Sequence, residues 1–525
     1  MTETNYDIVT IGSGHNGLVA AAYLAAAGRK VLVVERQPWF GGGVITRELT
    51  VPGFKHDQHS MAHIFIQANP LIKDDELGLI SKFGLKYIYP EIPLMSVFKD
   101  GSTLALYTDR QRTYQEIARF SQKDAESYLR LSELGATYLP AIVGGMFSVP
   151  APTGAMYAFM DQSREGRLMM SIMQKSAYDI VKEYFTDERV LLHFTRMVSE
   201  NLTGPEEKGT GIGLFVFLSF LEKYGIGVAQ GGSGQLSEAL IRCIEAHGGS
   251  VLANISVEKV LTEKGRAVGI RCSDGRTFKA RDGVIGAIHP HDIGKFIDGV
   301  APEIVEDASK VALTENVVFT IHAALNEPLQ FKCGDKARSA MMIELLPDRI
   351  DTLRGHFDDL RYGRLPKDSL IGLGSVTNID PSRAPAGKAT MHVWDYVPYE
   401  HPNGGAKHWD ECKEDFAWGL VEKMQPYISN VNKDNIIKWH CDSPLDMERH
   451  SASFRKGDIH GVAFNLVQNG SHRPTPDLGQ NTVPGIDRFY LVGPFQHPGG
   501  GVFGAGRATA MRMFEDLGLS VDKLN

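Results

Sequence analysis

The N-terminal segment has two short apolar runs, separated by a glycine-rich turn and a stretch of small and apolar residues. Residues 6–11 and 31–34 are apolar runs of the length expected for buried strands. Between them, small and apolar residues recur with helical spacing from Leu18 to Ala25, and the pattern stops at Gly28, a residue that suits the position after a helix. The pattern predicts a β-α-β unit, and such units build parallel sheets in α/β proteins.

Three glycines and one acidic residue in this unit predict a dinucleotide site. Gly12 makes the tight turn, Gly14 lets the backbone approach a pyrophosphate, and Gly17 allows the helix to pack closely on the strand. Phosphate oxygens would lie at the helix N-terminus, where amides are unpaired and the helix dipole is positive. Glu35 follows the second strand and is placed to bind an adenosine ribose; its carboxylate disfavours the 2′-phosphate of NADP.

The period of the apolar pattern changes after this unit. From about residue 113 to residue 221 the pattern is mainly helical, which predicts an inserted helical cap. The chain then returns to the first sheet through predicted strands at residues 250–253, 257–261, 267–271 and 283–287.

The C-terminal part of the chain adds a second unit and then completes the first. Residues 313–466 mix strands with a helix at residues 414–424 and several Pro/Gly loops, which indicates a substrate-facing domain. A short buried strand at residues 489–492 and a helix at residues 507–517, joined by a glycine-rich loop, close the first domain.

These elements predict an α/β fold with two interleaved domains. The first is a discontinuous, Rossmann-like nucleotide-binding domain made of residues 1–100, 225–300 and 470–525. The second is a mixed-sheet substrate domain with the helical cap, made of residues 101–224 and 301–469.

Composition and charge exclude several classes of protein. The chain has 525 residues, of which 43% are hydrophobic and 22% are charged, an ordinary balance for a globular protein with a large core. The net charge is -8 and no basic run occurs, which argues against a nucleic-acid partner. The five cysteines are scattered without a C-x-x-C pair, so we expect reduced thiols and no zinc site.

The position of the first strand and the length of the apolar runs bear on location. The first strand begins about five residues from Met1, which leaves no room for a targeting peptide, and a cytoplasmic location is expected. The most apolar stretch, residues 212–221, is well below the ~18 residues that span a bilayer. We interpret it as a buried helix, with a substrate tunnel or peripheral membrane contact as alternatives.

Five motifs span nearly the whole chain: the Gly12 to Glu35 unit, Gly41-Gly42 with Thr46, Gly53-Phe54 with Asp57, residues 231–234 (Gly-Gly-Ser-Gly), and residues 497–502 (His-Pro-Gly-Gly-Gly-Val). Together they resemble the phytoene-desaturase-like branch of FAD-dependent oxidoreductases. That branch contains carotenoid desaturases and retinol saturase, within the wider amine-oxidase-type flavoprotein superfamily. The combination is far more specific than any one motif.

The resemblance implies FAD as cofactor and assigns residues to it. Many amine-oxidase-type members carry an arginine after the Gly-Gly pair; this chain has Gly43, so a cationic contact from that position is lost. The last helix N-terminus would stabilise the anionic reduced flavin. The implied contacts are Gly12, Gly14 and Gly17 at the pyrophosphate; Glu35, Arg36, Val257 and Ala287 at the adenosine; Gly42, Gly43 and Thr46 along the ribityl chain and flavin; and Gly493, Gly501 and Val502 at the ribityl chain and the pyrimidine edge.

Polar side chains beside the expected flavin are the candidates for catalysis. His59 and Ser60 follow a flavin-contacting loop and are interpreted as active-site lining, with a buried histidine bonded to the backbone as the alternative for His59. His497 lies in the loop that should abut the flavin, where it either acts on substrate or shapes the loop. Arg449 could anchor a carboxylate or carbonyl, although a salt bridge between the domains is favoured.

Two further clusters have alternative interpretations. His56, His59 and His63, with Asp57, could form a metal site, but their spacing fits neither a zincin helix nor a zinc finger, so no metal is predicted. Residues 394–399 (Trp-Asp-Tyr-Val-Pro-Tyr) resemble an aromatic wall and are expected to pack rather than to form a cage.

The resemblance predicts an FAD-dependent dehydrogenase or oxidase that desaturates a C-C bond by hydride transfer to flavin N5. The substrate would be small, largely apolar or cyclic, and oxygen or a quinone would accept the electrons. An amine oxidase acting on a C-N bond is the first alternative. A non-enzymatic relative of the prenyl-binding GDP-dissociation inhibitors is the second.

Overall fold

The structure is a computed structural model and describes residues 4–524. One β-α-β unit opens the described chain, and runs of strands and runs of helices follow it. Within the described residues there are nineteen strands. In chain order, β1 to β19 are Thr4–Ile11, Val31–Val34, Thr46–Arg47, His56–Asp57, Tyr87–Ile88, Ile92–Phe98, Thr103–Leu106, Val228–Ala229, Ser250–Leu252, Val257–Glu263, Arg266–Cys272, Thr277–Gly286, Val317–Leu325, Ala340–Leu346, Gly372–Gly374, Ala389–Val397, Ile436–Asp442, Thr482–Val483 and Ile486–Leu491.

Helices are concentrated in the middle of the chain, as the 3.6-residue period predicts. Sixteen α-helices lie within residues 4–524. In chain order, α1 to α16 are His15–Ala26, Pro70–Lys73, Arg110–Ala118, Gln122–Met146, Thr153–Met160, Arg164–Gln174, Ala177–Tyr184, Glu188–Ser199, Ile212–Tyr224, Gly234–Ala246, Ile293–Phe296, Pro302–Ser309, Ile350–Arg361, Trp409–Met424, Pro444–His450 and Gly506–Leu517.

The first sheet carries the predicted nucleotide unit at its centre. Its strand order is β10-β11-β19-β12-β1-β2-β9, and β1 pairs in parallel with β2 and β12. Helix α1 packs on this sheet together with α10 and α16, and nearly all of its residues are buried. Parallel strands direct their carboxyl ends to one edge, so Gly12, Glu35 and Ala287 come together there.

The second sheet is mixed and has the order β17-β13-β16-β15-β14-β6-β7. One face packs on α14 around the buried Trp409 and Phe319. Strands β6 and β7 pair with each other in this sheet, and β6 also pairs in parallel with β14. All residues of both strands are buried. This corrects the predicted boundary at residue 100, which falls inside the β6–β7 hairpin.

Helices α3 to α9 form the cap, and its core is shared with the second sheet. Helix α9 buries the apolar stretch of residues 212–221, including Phe215 and Phe220, which confirms its interpretation as a buried helix. Of the helices in the described part of the chain, none combines the length and the apolar character needed to cross a bilayer. The five cysteines form no disulfide in the structure.

Candidate active site

A cavity of about 550 Å³ lies between the first sheet, the second sheet and the cap. Its lining residues come from segments between Ile11 and Val502, so parts of the chain that are distant in sequence meet there. One part is lined by the carboxyl edge of the first sheet and by glycine loops. The other part is lined by strands of the second sheet and by α9, with an apolar surface.

The glycines of the first turn shape one end of this cavity. Gly12 has a φ of +88° and a Cβ there would lie 3.2 Å from the Cβ of Ala287. A Cβ at Gly17 would lie 2.6 Å from the Gly12 carbonyl oxygen, so only glycine lets α1 approach β1. At Gly14 a Cβ would meet nothing within 4 Å, because that position faces open space. This open cradle at the N-terminus of α1 is the shape a pyrophosphate requires.

Glu35 is held rigidly at the same edge. Its Oε2 atom accepts hydrogen bonds of 2.9 Å from both the backbone N–H and the hydroxyl of Ser13, and its Oε1 accepts one of 2.9 Å from the Gln37 N–H. Arg36 and Val257 line the cavity beside it. A fixed carboxylate next to these residues fits an adenosine ribose without a 2′-phosphate.

Polar atoms without partners support the fit to a dinucleotide. Asn16 is buried in the cavity lining, and neither atom of its side-chain amide finds a hydrogen-bond partner among residues 4–524. Buried amide groups are normally satisfied, so a missing polar ligand explains this one. Asn16 follows Gly14 at the start of α1, where FAD phosphates would lie.

The C-terminal loop closes the cavity from the other side. Gly493, Gly501 and Val502 line it, as the resemblance implied for FAD. Arg473 is fully buried and donates to several loop carbonyls, including those of Val462 at 3.0 Å and Pro494 at 3.1 Å. This guanidinium therefore ties the glycine-rich loop to the segment before it.

Thr46 has a role different from the expected flavin contact. It is absent from the cavity lining, and its hydroxyl donates to Asp57 at 2.7 Å and accepts the Gly234 N–H at 3.0 Å. Asp57 also accepts the Ser233 N–H at 2.8 Å and pairs with the buried Arg383. Three of the sequence motifs thus form a clamp beside the loop of Gly42 and Gly43, both of which line the cavity.

The structure separates the candidate catalytic residues. His59 and Ser60 line the cavity. His497 lies outside it, where its Nε2 is 3.0 Å from the Gly145 carbonyl oxygen, a position that fits the loop-shaping alternative. Arg449 also lies outside the cavity; its exposed side chain bonds to Asp410 at 2.6 and 2.8 Å, within the second domain instead of between domains.

The predicted histidine cluster does not converge on one point. His56 contacts the Thr50 hydroxyl at 2.8 Å, and His63 contacts the Tyr87 hydroxyl at 2.8 Å. His59 instead packs against His450 and Phe454, with ring centroids 4.5 and 5.2 Å away. The cluster therefore splits into two structural histidines and one that lines the cavity.

Like His392, His59 lines the cavity with ring nitrogens that lack partners within residues 4–524, so it is well placed to meet a ligand. Neither of its ring nitrogens has a hydrogen-bond partner in the described part of the chain. Burial, followed by the neighbouring His450, lowers the pKa of His59 to about 3, so the ring is neutral at physiological pH. A neutral imidazole offers one donor and one acceptor to a bound molecule.

We expect the buried histidines to make stability fall on acidification. Burial lowers the pKa values of His59 to about 3 and of His392 and His460 to about 4, against 6.5 in the unfolded chain. The unfolded state takes up protons first, so their contribution is complete above pH 6.5 and is lost as the pH falls towards 4. Each loses up to about 1.4 kcal/mol per pH unit in that window.

Urea-unfolding midpoints measured between pH 8 and pH 5 check this expectation. The variant His59→Asn, which does not titrate there, should show a shallower fall. Equal midpoints at both pH values for the natural protein would contradict the expectation.

Sequence reasoning missed a charged group at the apolar end of the cavity. Glu200 lines this end, and its Oε1 lies 2.5 Å from a guanidinium nitrogen of Arg196, 3.2 Å from the Tyr396 hydroxyl and 3.5 Å from the indole nitrogen of Trp394. Arg196 is fully buried and also pairs with Glu344 at 2.8 Å. Nothing local marks Glu200, because it directly follows an ordinary amphipathic helix, α8.

Comparison with known proteins identifies the family of this chain. The sequence model of the family described as flavin containing amine oxidoreductase matches residues 17–358, well over half of the chain. The chain belongs to that family. It is therefore an FAD-dependent oxidoreductase, as the resemblance predicted, and the non-enzymatic alternative is set aside.

Three named proteins are similar to this chain over nearly its whole length. One of the subunits of limonene dehydrogenase from Castellaniella defragrans is 27% identical, with 98% of this chain and 95% of that protein covered. The lycopene-forming phytoene desaturase of Pseudescherichia vulneris is 24% identical, with 97% and 99% covered. A triple mutant of putrescine oxidase has a TM-score of 0.63 at 15% identity, covering 98% of this chain and 99% of that one, which shows a shared fold.

Proposed function

We propose that this FAD-dependent oxidoreductase desaturates a C-C bond of a small, largely apolar or cyclic substrate. The observation that carries the proposal is the apolar surface at the end of the cavity away from Glu35. That surface is formed by Phe65, Phe217, Val318, Met342, Trp394 and Ile459. The likeness to a limonene dehydrogenase and to a phytoene desaturase supports it.

The chain's own residues would bind the substrate and exclude water. Phe65 stacks on Phe503 with ring centroids 4.4 Å apart and contacts Phe217 at 5.1 Å, which gives a rigid hydrocarbon wall. Trp394 and Tyr396 flank Asp395 on β16, so their side chains share one face of the strand, and both line the cavity. Burying a hydrocarbon here gains about 25 cal/mol per Å² of apolar surface.

Holding FAD falls to the residues at the other end. The cradle at Gly14, the Glu35 carboxylate, the Asn16 amide and the loop of Gly501 and Val502 would contact the cofactor. Bound FAD supplies a hydride acceptor at N5. Oxygen or a quinone is proposed to take the electrons afterwards.

A substrate screen on the purified yellow holoenzyme tests the proposal. Limonene, cyclohexanone, a carotenoid polyene, cyclohexylamine and putrescine are mixed anaerobically with the enzyme, and loss of the visible flavin absorbance is followed. We expect a cyclic or polyene hydrocarbon, or a cyclic ketone, to bleach the flavin and to give a product lacking two hydrogens. Oxygen and a soluble quinone are then admitted separately to identify the acceptor.

The outcome with amines is decisive. Bleaching by an amine alone, with an imine or aldehyde as product, would contradict desaturation and favour oxidation of a C-N bond. Bleaching that oxygen does not reverse would exclude an oxidase but leave a dehydrogenase that uses a quinone.

A further inference from the structure

The apolar end of the cavity contains an acidic side chain, Glu200, which the binding of a hydrocarbon alone does not require. Glu200 has 13% of its side chain exposed, whereas Arg196 and Glu344 behind it have none exposed. Burying a carboxylate in such surroundings costs free energy unless a cation and hydrogen-bond donors compensate its charge.

The neighbouring groups fix where the negative charge lies. Burial raises the pKa of Glu344 well above its usual 4.5, which favours a neutral carboxyl group there. Arg196 donates to the Tyr396 hydroxyl at 2.9 Å, and its guanidinium lies 4.8 Å from that ring centroid. Of the two acidic side chains paired with Arg196, Glu200 is the one that lines the cavity, with Arg196 behind it as counter-ion.

Two aromatic rings share this end of the cavity with Glu200. Trp394 and Tyr396 both line it and both contact Glu200 through polar atoms. The Arg196 guanidinium already lies 4.8 Å from the Tyr396 ring centroid, so Trp394 is the ring that can attract further positive charge, and a carboxylate adds a stronger attraction in a medium of low dielectric constant. The apolar end of the cavity is thus suited to positive charge on a hydrophobic molecule.

We propose that Glu200 is a catalytic residue that stabilises positive charge on the substrate carbon and then receives a substrate proton. The proposal rests on the desaturase function proposed above. One substrate C-H bond would break with both of its electrons, and FAD, when bound, would supply the acceptor for that hydride. The electron pair of the neighbouring C-H bond becomes the new π bond, and its proton goes to a carboxylate oxygen of Glu200.

A binding measurement tests the charge preference without knowledge of the natural substrate. Trimethylcyclohexylammonium and its neutral isostere tert-butylcyclohexane are titrated into the holoenzyme, and binding is followed by perturbation of the flavin spectrum. We expect the cation to bind at least about tenfold more tightly than the isostere. In Glu200→Gln the preference should disappear, while FAD content and affinity for the isostere stay unchanged.

Two variants serve as controls. Glu344→Gln replaces a carboxyl group that does not line the cavity and whose pKa is raised by burial, so the preference should persist. Glu200→Asp keeps the charge and should retain part of the preference, which covers the case in which Glu200→Gln fails to fold. The proposal is overturned by no measurable binding of the cation, by equal affinities for the two ligands, or by a preference that survives Glu200→Gln or is lost in Glu344→Gln.

Measurement of turnover provides a second test of the role of Glu200. With the substrate that the screen identifies, Glu200→Gln should lower kcat by at least about a hundredfold with little change in KM, since charge develops only in the transition state. An unchanged kcat would overturn the assignment of the proton to Glu200. The screen identifies the oxidised bond from its products. The cation titration does not depend on that result, because a quaternary ammonium ion has no lone pair and cannot be oxidised as an amine. The two proposals can therefore fail separately.

Discussion

Replacing Gly14 with valine is expected to give a folded protein that purifies without bound FAD. Gly14 has a φ of -54° and a ψ of 149°, which valine adopts without strain. A Cβ at Gly14 would meet nothing within 4 Å, so the new side chain would enter the open space proposed for the pyrophosphate. We expect FAD affinity to fall at least about a hundredfold, which corresponds to about 3 kcal/mol.

Flavin absorbance per mole of purified protein, together with the thermal unfolding of the FAD-free protein, measures the effect. Gly355→Val is the matched control, because Gly355 lies in α13, away from the cavity lining, and a Cβ there also meets nothing within 4 Å. That variant should keep its FAD. A yellow Gly14→Val protein with normal flavin content would show that the cofactor lies elsewhere.

Replacing Arg196 with methionine is expected to be the most destabilising single change in the cap. Arg196 is fully buried between Glu200 and Glu344, and its loss leaves a buried carboxylate without a counter-ion. Breaking a buried ion pair by removing one partner typically costs about 3–5 kcal/mol. The denaturation midpoint in urea should fall accordingly.

The same substitution at Arg449 provides the control. Arg449 pairs with Asp410 at the surface, with 51% and 41% of the two side chains exposed, so Arg449→Met should change stability by no more than about 1 kcal/mol. Adding Glu200→Gln to Arg196→Met should recover part of the loss. Equal effects of the two arginine substitutions would contradict the expectation that the buried ion pair contributes more to stability than the exposed one.

Local sequence carries the nucleotide end of the site. The strand, turn, helix and strand from residue 4 to residue 34 form in the predicted order, because the signals for that unit lie within one segment. The glycines at residues 12, 14, 42, 43, 493 and 501 all line the cavity, since each motif indicates a close approach of the backbone to a ligand.

Long-range packing determines the rest, and single residues do not reveal it. Arg449 and Arg196 look alike in sequence, but β14 brings Glu344 to Arg196, which is buried, while Arg449 remains at the surface. Likewise, β6 is an apolar run that could join either sheet, and its partner β14 lies more than two hundred residues away. Thr46 marks its motif in the sequence, but its hydrogen bond to Asp57 in the clamp is visible only in three dimensions.

The position of β19 in the first sheet has a consequence for biosynthesis. β19 pairs with β12 and is inserted between β12 and β11, although β12 ends at Gly286 and β19 only at Leu491. At about 5–20 residues per second, the ribosome needs roughly 10–40 s to make the chain between these two strand ends. During that time residues 284–286 of β12 lack their β19 partner, and the loop of Gly501, which is proposed to complete the cofactor site, has not yet been made. FAD binding at the proposed site therefore has to await synthesis of the segment up to Val502.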